Sequence, residues 1–289
     1  MPCIDVHEHI WPERFVARLR ERRSPPWLDG DTLHLAGEQP CPVDVAGDPL
    51  QSRLDELDAA GIDIGIVSLQ PTLGLDALPE PERADLARVW QGAVDELVSA
   101  ANGRLVALAA DPFDERFPGA VLGAPALIAL DDVALALDAL ERRGAFLFVH
   151  PGPAAAPPGA APAWWPAVVD YTAQMQAAYA MWLAQGSERW PRLRIVFAIL
   201  AGGGPFQLER LHSRGVGSRA TLHPNVFFDI ASYGRRGLEL CLQAYGVEQL
   251  VFGTDIPVID AYESLRAARG FGDSVAKYIM DTNPSQLIA

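Results

Sequence analysis

The sequence predicts a (β/α)₈ barrel on three observations. Eight short apolar runs recur along its 289 residues, segments with apolar residues at helical spacing separate them, and glycines stand where those helices should stop. Strands alternating with helices need crossover connections and hence parallel pairing. Eight is the number that closes into a barrel. The chain is longer than the about 150 residues of an average domain, yet single barrels routinely reach about 250, so it reads as one barrel over 1–289. A doubly wound open sheet is the alternative. No GxGxxG opens any helix, which counts against the dinucleotide-binding version of that sheet.

Strand one covers 4–6. Residues 23–48, rich in Pro, Gly and Asp, read as a loop or small insertion after it. Leu50, Leu54, Leu57 and Ala60 share one face of a helix over 50–60, with Gly61 as its stop. Strand two is 62–69, a helix follows over 81–101, and strand three is 105–109. Strand four, 121–127, is the weakest because Pro125 lies inside it. A helix over 131–143 ends at Gly144, before strand five at 145–149. Residues 151–166 (PGPAAAPPGAAPAWWP) read as a long loop at the barrel mouth, since strands continue on both sides with the same period. A helix over 165–185 leads to strand six at 193–200. Helices over 205–213, 236–245 and 261–268 alternate with strand seven at 226–230 and strand eight at 250–252.

Composition narrows the partners. The chain is 49% hydrophobic and 21% charged, which suits a sizeable core. Its formal net charge of −14 argues against nucleic acid or an anionic membrane as partner. No stretch approaches the about 20 apolar residues of a membrane span. Cys3, Cys41 and Cys241 are scattered and odd in number, so no disulfide framework is expected and a reducing cytoplasm is the expected location. The polar start, with Asp5, His7, Glu8 and His9, is unlike a signal peptide.

Only six histidines occur: His7, His9, His34, His150, His212 and His223. Three of them close predicted strands. His7 and His9 end strand one and, two residues apart, share a face, while Glu8 points away. His150 ends strand five, and Asp255 follows strand eight. In a closed barrel these ends converge on one mouth, and strands one and eight are neighbours there. Three imidazoles and a carboxylate suit a divalent transition metal. Each residue alone has an ordinary explanation: His150 as a core histidine, Asp255 as a helix cap. All four at strand ends of one barrel do not. Trp11 and Trp165 are candidate aromatic contacts for a small substrate at the mouth. Gly202-Gly203-Gly204 reads as a tight turn, since no GKS/T follows to make a phosphate loop.

The segments DVHEHI, FVHPGP, AGGGPFQLER and LVFGTDIP together resemble the amidohydrolase-related family of metal-dependent hydrolases and decarboxylases, most closely its aminocarboxymuconate-semialdehyde decarboxylase branch. The resemblance runs from residue 4 to about residue 283. It implies a distorted (β/α)₈ (TIM) barrel of the metal-dependent hydrolase type, holding one divalent ion, Zn²⁺ or alternatively Mn²⁺. The ligands it implies are His7, His9, His150 and Asp255. It implies decarboxylation or hydrolysis of a small carboxylated or carbonyl substrate, with Asp255 also relaying a proton. Arg53 and Arg210 match arginines that grip substrate carboxylates, the second reaching in from a neighbouring subunit, so a homodimer is expected.

One position departs from the pattern. The family carries an acid/base histidine at the end of strand six, and Ile199 stands at the matching place here; a register two residues later would put Ala201 there. No histidine occurs between His150 and His212, so no shift of register restores one. His212 falls in the following helix, His223 before strand seven on the opposite barrel face, and His34 in the insertion. Losing a positioned acid/base typically costs about 10²–10⁴ in rate. The alternative reading is therefore a metal-retaining barrel with impaired catalysis that acts in binding or regulation.

Overall fold

The computed structural model describes residues 2–45, 49–156, 159, 161–215 and 223–288. Positions 46–48 of the expected insertion and 157, 158 and 160 of the proline-rich loop lie outside the described residues. The strands are β1 (Ile4–Glu8), β2 (Trp27–Asp29), β3 (Thr32–His34), β4 (Cys41–Pro42), β5 (Ile64–Val67), β6 (Leu105–Ala107), β7 (Gly119–Gly123), β8 (Phe146–His150), β9 (Arg194–Phe197), β10 (Val226–Asp229) and β11 (Leu250–Val251).

Eight of these are parallel. They form two arcs, β1-β5-β6 and β7-β8-β9-β10-β11. Single bridges join the arcs, Ala109 to Ala120 at one seam and Glu8 to Ile256 at the other. At the second seam Val6 N–H also donates to Phe252 O at 2.9 Å, and Asp255 N–H to His7 O at 2.8 Å. The barrel is closed, and these thin seams are where it is distorted. Its wall strands read as continuous apolar runs because helices cover the outer face and side chains fill the inner one. Phe146, Phe148, Phe197, Phe227, Phe228 and Phe252 are all buried. Asn283, near the end of the chain, donates to Val247 O and Leu250 O and so ties the last helix to β11.

Several boundaries move for identifiable reasons. The fourth barrel strand lies at 119–123 rather than 121–127. Pro125 has no N–H to offer the ladder, and Ala124–Ile128 turns away as a short 3₁₀ segment. The insertion is a small antiparallel sheet, β2-β3-β4. In it Trp27 stacks on its cross-strand partner His34 at 4.2 Å. The long helix expected over 165–185 contains a regular core, Tyr171–Met181, flanked by wider π-type turns at Pro166–Asp170 and Trp182–Gly186.

The largest change is in the sixth barrel strand, expected over 193–200. The extended chain stops at Phe197. Ile199, Leu200 and Ala201 then take φ of 46°, 51° and 51°, and Gly202 and Gly203 continue the left-handed turn at 63° and 85°. A left-handed conformation costs an L-residue about 1–2 kcal/mol, so three in succession require compensation. Burial of Ile199, Leu200 and Ala201 supplies part of it. So does a hydrogen bond from Ile199 N–H to Asp229 Oδ1 at 3.0 Å. No helix among the described residues is long and apolar enough to cross a membrane.

Candidate metal centre

Three imidazoles and one carboxylate meet at the mouth. One ligand atom from each of His7, His9, His150 and Asp255 lies within 4.8 Å of every other. β1 supplies His7, the residue just past its end supplies His9, β8 supplies the third, and the turn after β11 the fourth. Asp255 itself has φ 68°. The strand is thus turned back sharply enough to aim its carboxylate at β1, a strained backbone of the kind found at functional sites.

The outer nitrogens fix what the inner ones can do. His9 Nδ1 faces Ser68 O at 3.0 Å, and His150 Nδ1 faces Pro151 O at 2.9 Å. A carbonyl oxygen only accepts, so each Nδ1 carries its proton and each Nε2 presents a lone pair. Those two Nε2 atoms are 3.2 Å apart. A hydrogen bond between them would need one ring to be charged, and burial holds both below the ordinary histidine range. His150 is well below it, with His9 and His7 adding to the effect of burial. His7 Nε2 lies 3.4 Å and His9 Nε2 3.3 Å from Asp255 Oδ1, while His7 Nε2 and Asp255 Oδ1 are buried without a hydrogen-bond partner. Converging lone pairs and buried acceptors of this kind are satisfied by a cation at their centre, so the donor set fits a divalent ion.

His7 is the exception among the three rings. Burial alone would lower its pKa, but Asp229 and Asp255 outweigh burial and raise it to about 10. Asp255 is pushed up by burial and pulled further down by His7 and His9, ending below the usual carboxylate range.

Residues that the sequence analysis did not single out hold this centre in place. Asp229, at the end of β10, accepts from His7 Nδ1 at 2.9 Å through Oδ2. Its Oδ1 accepts from Ile199 N–H at 3.0 Å and Ala231 N–H at 2.9 Å. Asp5 accepts from the Thr254 hydroxyl at 2.5 Å and from Thr254 N–H at 3.1 Å, tying β1 to the turn that carries Asp255. Asp229 was detectable by the rule that found the others, as the one charged residue in the apolar run VFFDI at a strand end. The Ser68 and Pro151 carbonyls carry no side-chain signal and could not be detected that way. Gly253 permits the close approach, since a Cβ there would stand 2.9 Å from His7 Cβ and 3.0 Å from Asp229 Cβ.

The remaining candidates fall elsewhere. Arg53, expected at a substrate carboxylate, is 4% exposed. Its guanidinium donates to Glu8 Oε2 at 2.6 Å, Glu56 Oε2 at 2.9 Å and His9 O at 2.8 Å. The reason is Glu8, which points away from the ligand face, packs over Gly65 and needs a buried countercharge. Any grip by Arg53 on a substrate would require those bonds to be exchanged. Arg210 is exposed on the helix Leu208–Ser213. Trp11 donates from Nε1 to Gln70 Oε1 at 2.8 Å, just beyond β1. Trp165 is half-buried and stacks with the exposed Trp164. Ile199 is 8% exposed at the start of the left-handed turn, and Ala201 of the alternative register lies in the same turn. Both are apolar, so neither register supplies an acid/base side chain.

The sequence matches no known family model. Its fold is shared with solved decarboxylases. IDCase of Metarhizium anisopliae superposes with TM-score 0.82 at 21% identity, over 99% of this chain and 97% of that one. A 2,6-dihydroxybenzoate decarboxylase, solved with 2,6-dihydroxybenzoate, superposes with TM-score 0.73 at 17% identity, over 100% and 98%. The 5-carboxyvanillate decarboxylase of Novosphingobium aromaticivorans, solved with manganese and 4-hydroxy-3-methoxy-5-nitrobenzoic acid, gives TM-score 0.74 at 15% identity, over 99% and 96%. Likeness at this identity establishes the distorted (β/α)₈ barrel.

Proposed function

We propose that this protein is a divalent-metal-dependent decarboxylase of small hydroxylated aromatic carboxylates. The observation that carries the reading is the convergence of three imidazole Nε2 atoms and Asp255 Oδ1, each imidazole locked by an acceptor behind it. Substrate class is drawn from the fold neighbours, two of which are named for aryl carboxylates.

His7, His9, His150 and Asp255 would hold the ion. Zinc suits such a nitrogen-rich set, and manganese is the rival. A bound divalent ion supplies Lewis acidity at a substrate oxygen. The protein's own part is positioning: the Asp229, Ser68 and Pro151 acceptors keep the rings aimed. Trp11 and Trp165 are the proposed aromatic contacts. Arg210 would serve a neighbouring copy in a homodimer, as the family resemblance implies.

Metal analysis of the wild type and of His7→Ala with His9→Ala is the first test, with about one ion per chain expected in the former and none in the latter. The second is CO₂ release from a panel of hydroxybenzoates after loading with Zn²⁺ or Mn²⁺. Equal metal content in both proteins overturns the site. One ion per chain with no CO₂ release favours the second reading, a metal-retaining binding protein, for which the apolar Ile199 speaks.

A further inference from the structure

The mouth holds a polar side chain that the ligand set and its supports leave unused. The chain beyond β1 and the chain beyond β5 run side by side, linked by two successive rungs. In the first, Ser68 O accepts from His9 Nδ1 at 3.0 Å. In the second, Gln70 Oε1 accepts from Trp11 Nε1 at 2.8 Å. Both rungs climb by two residues, from 9 to 11 and from 68 to 70, and residues two apart in extended chain share a face. Gln70 is itself extended, at φ −70° and ψ 116°. It therefore stands on the side of the ligand set, about 7 Å of extended chain further out than the His9 rung.

The turn that begins at Gln70 also meets the strand ends beside His150. Gln70 O accepts from Leu73 N–H at 3.2 Å and opens the 3₁₀ turn Pro71–Leu73. A Cβ on Gly123 would stand 3.4 Å from Pro71 Cβ, and Gly123 is the cross-strand partner of His150. A Cβ on Gly74 would stand 3.2 Å from the Pro153 ring, just past His150. Gln70 is thus held between the chain ends that carry His9 and His150.

Its amide has one orientation. An indole N–H only donates, so the atom facing Trp11 is Oε1 and the NH₂ faces the other way. Gln70 is 9% exposed. No described residue accepts from its Nε2, yet Nε2 is not one of the buried unpartnered atoms, so its N–H groups open to solvent. The other glutamines at the mouth do donate within the protein, Gln174 to Pro153 O at 2.9 Å and Gln176 to Gly202 O at 2.6 Å. Satisfying Trp11 needs an acceptor alone. A fixed donor that the protein leaves unused takes its acceptor from outside. Arg53 is not free for that task, being bound to Glu8, Glu56 and His9 O.

We propose that Gln70 is a specificity-determining residue, whose NH₂, oriented by Trp11, donates to an acceptor oxygen on the substrate ring away from the reacting carboxylate. This deepens the decarboxylase reading and rests on it. A nitro, carbonyl or second carboxylate oxygen is selected there. An apolar substituent of similar size is disfavoured, because it covers the N–H groups without pairing them.

The test compares metal-loaded wild type, Gln70→Met and Gln70→Glu at equal metal content. Calorimetry measures the affinity of paired 2-hydroxybenzoates that differ only in a nitro or a methyl group at ring position 4 or 5. At one of these positions the preference for nitro over methyl should be about tenfold greater in wild type than in Gln70→Met. Taking this ratio between proteins cancels the effect of the nitro group on the rest of the ligand. Gln70→Glu keeps the acceptor for Trp11 but offers an oxygen in place of the NH₂, so its preference should also be lost. A residue that only holds Trp11 would leave Gln70→Glu like wild type. CO₂ release from the hydroxybenzoate panel with an unchanged preference in either variant overturns the assignment alone. A preference that depends on Gln70 without CO₂ release overturns the decarboxylase reading and keeps the amide as a recognition group. A metal-loaded wild type that binds neither member of any pair and releases no CO₂ overturns both.

Discussion

The two sides of the barrel mouth are built on opposite principles. On the side of β1, β8 and the turn after β11, three buried imidazoles are each held from behind by an acceptor, with the Asp255 carboxylate beside them. On the side of β9 the chain turns left-handed through Ile199, Leu200 and Ala201 and presents hydrocarbon. Asp229 touches both, holding His7 with one oxygen and the backbone of Ile199 with the other. The difference teaches that the groups able to hold an ion and the apolar turn stand on different strands. The second can change without disturbing the first, because the contact that Asp229 makes to position 199 is to backbone, not side chain.

The sharpest way to break the contrast is Ile199→His. If the β9 side lacks only its acid/base group, turnover on hydroxybenzoates should rise, by up to about 10²–10⁴, with metal content unchanged. Vigorous wild-type activity that falls in the variant would show that the apolar side is part of an adapted mechanism.

The polar side makes a pH prediction. Without metal, His7 binds a proton up to a pKa of about 10, above its unfolded value of about 6.5. That proton stabilises the metal-free protein fully below about pH 6.5, and the contribution is lost as pH rises toward about 10. A metal must displace this proton. Affinity should therefore climb about tenfold per pH unit between about 7 and 10, measurable by competition with a chelator, and the melting temperature of chelator-treated protein should drop over the same window. A flat affinity would mean that His7 is neutral in the empty site.

Asp229→Asn probes the residue shared by both sides. Its carboxylate accepts three N–H groups, so an amide must turn its own NH₂ toward at least one of them. Metal affinity should fall about 10–100-fold, as for other outer partners of ligating histidines, read in the same competition assay.

The smallest expected effect concerns the left-handed turn. Ala201→Gly loses a buried methyl, worth about 0.8 kcal/mol, but relieves about 1–2 kcal/mol of left-handed cost. Stability should therefore change by less than about 1 kcal/mol. Ala198→Gly, equally buried but at φ −62°, has no strain to relieve and should be clearly destabilised. Similar losses in the two urea midpoints would show that the turn is unstrained.

Much of this protein follows from the sequence by itself. The count of eight strands, their parallel order and the convergence of His7, His9, His150 and Asp255 all derive from apolar runs ending in polar residues. Parallel strands buried on both faces leave few polar residues along a run, and those at its end are conspicuous. Tertiary structure alone decided the rest. Glu8 lies over Gly65 and claims Arg53, a pairing made across 45 residues of chain. The turn after Phe197 bends left-handed, against the preference of Ile199, Leu200 and Ala201, because buried packing and the Asp229 hydrogen bond outweigh local conformational cost. Tyr171 meets Glu38 across 133 residues of chain, a contact with no periodicity to announce it. Local spacing records what each segment prefers, whereas long-range hydrogen bonds and buried charges are satisfied only once the segments are brought together.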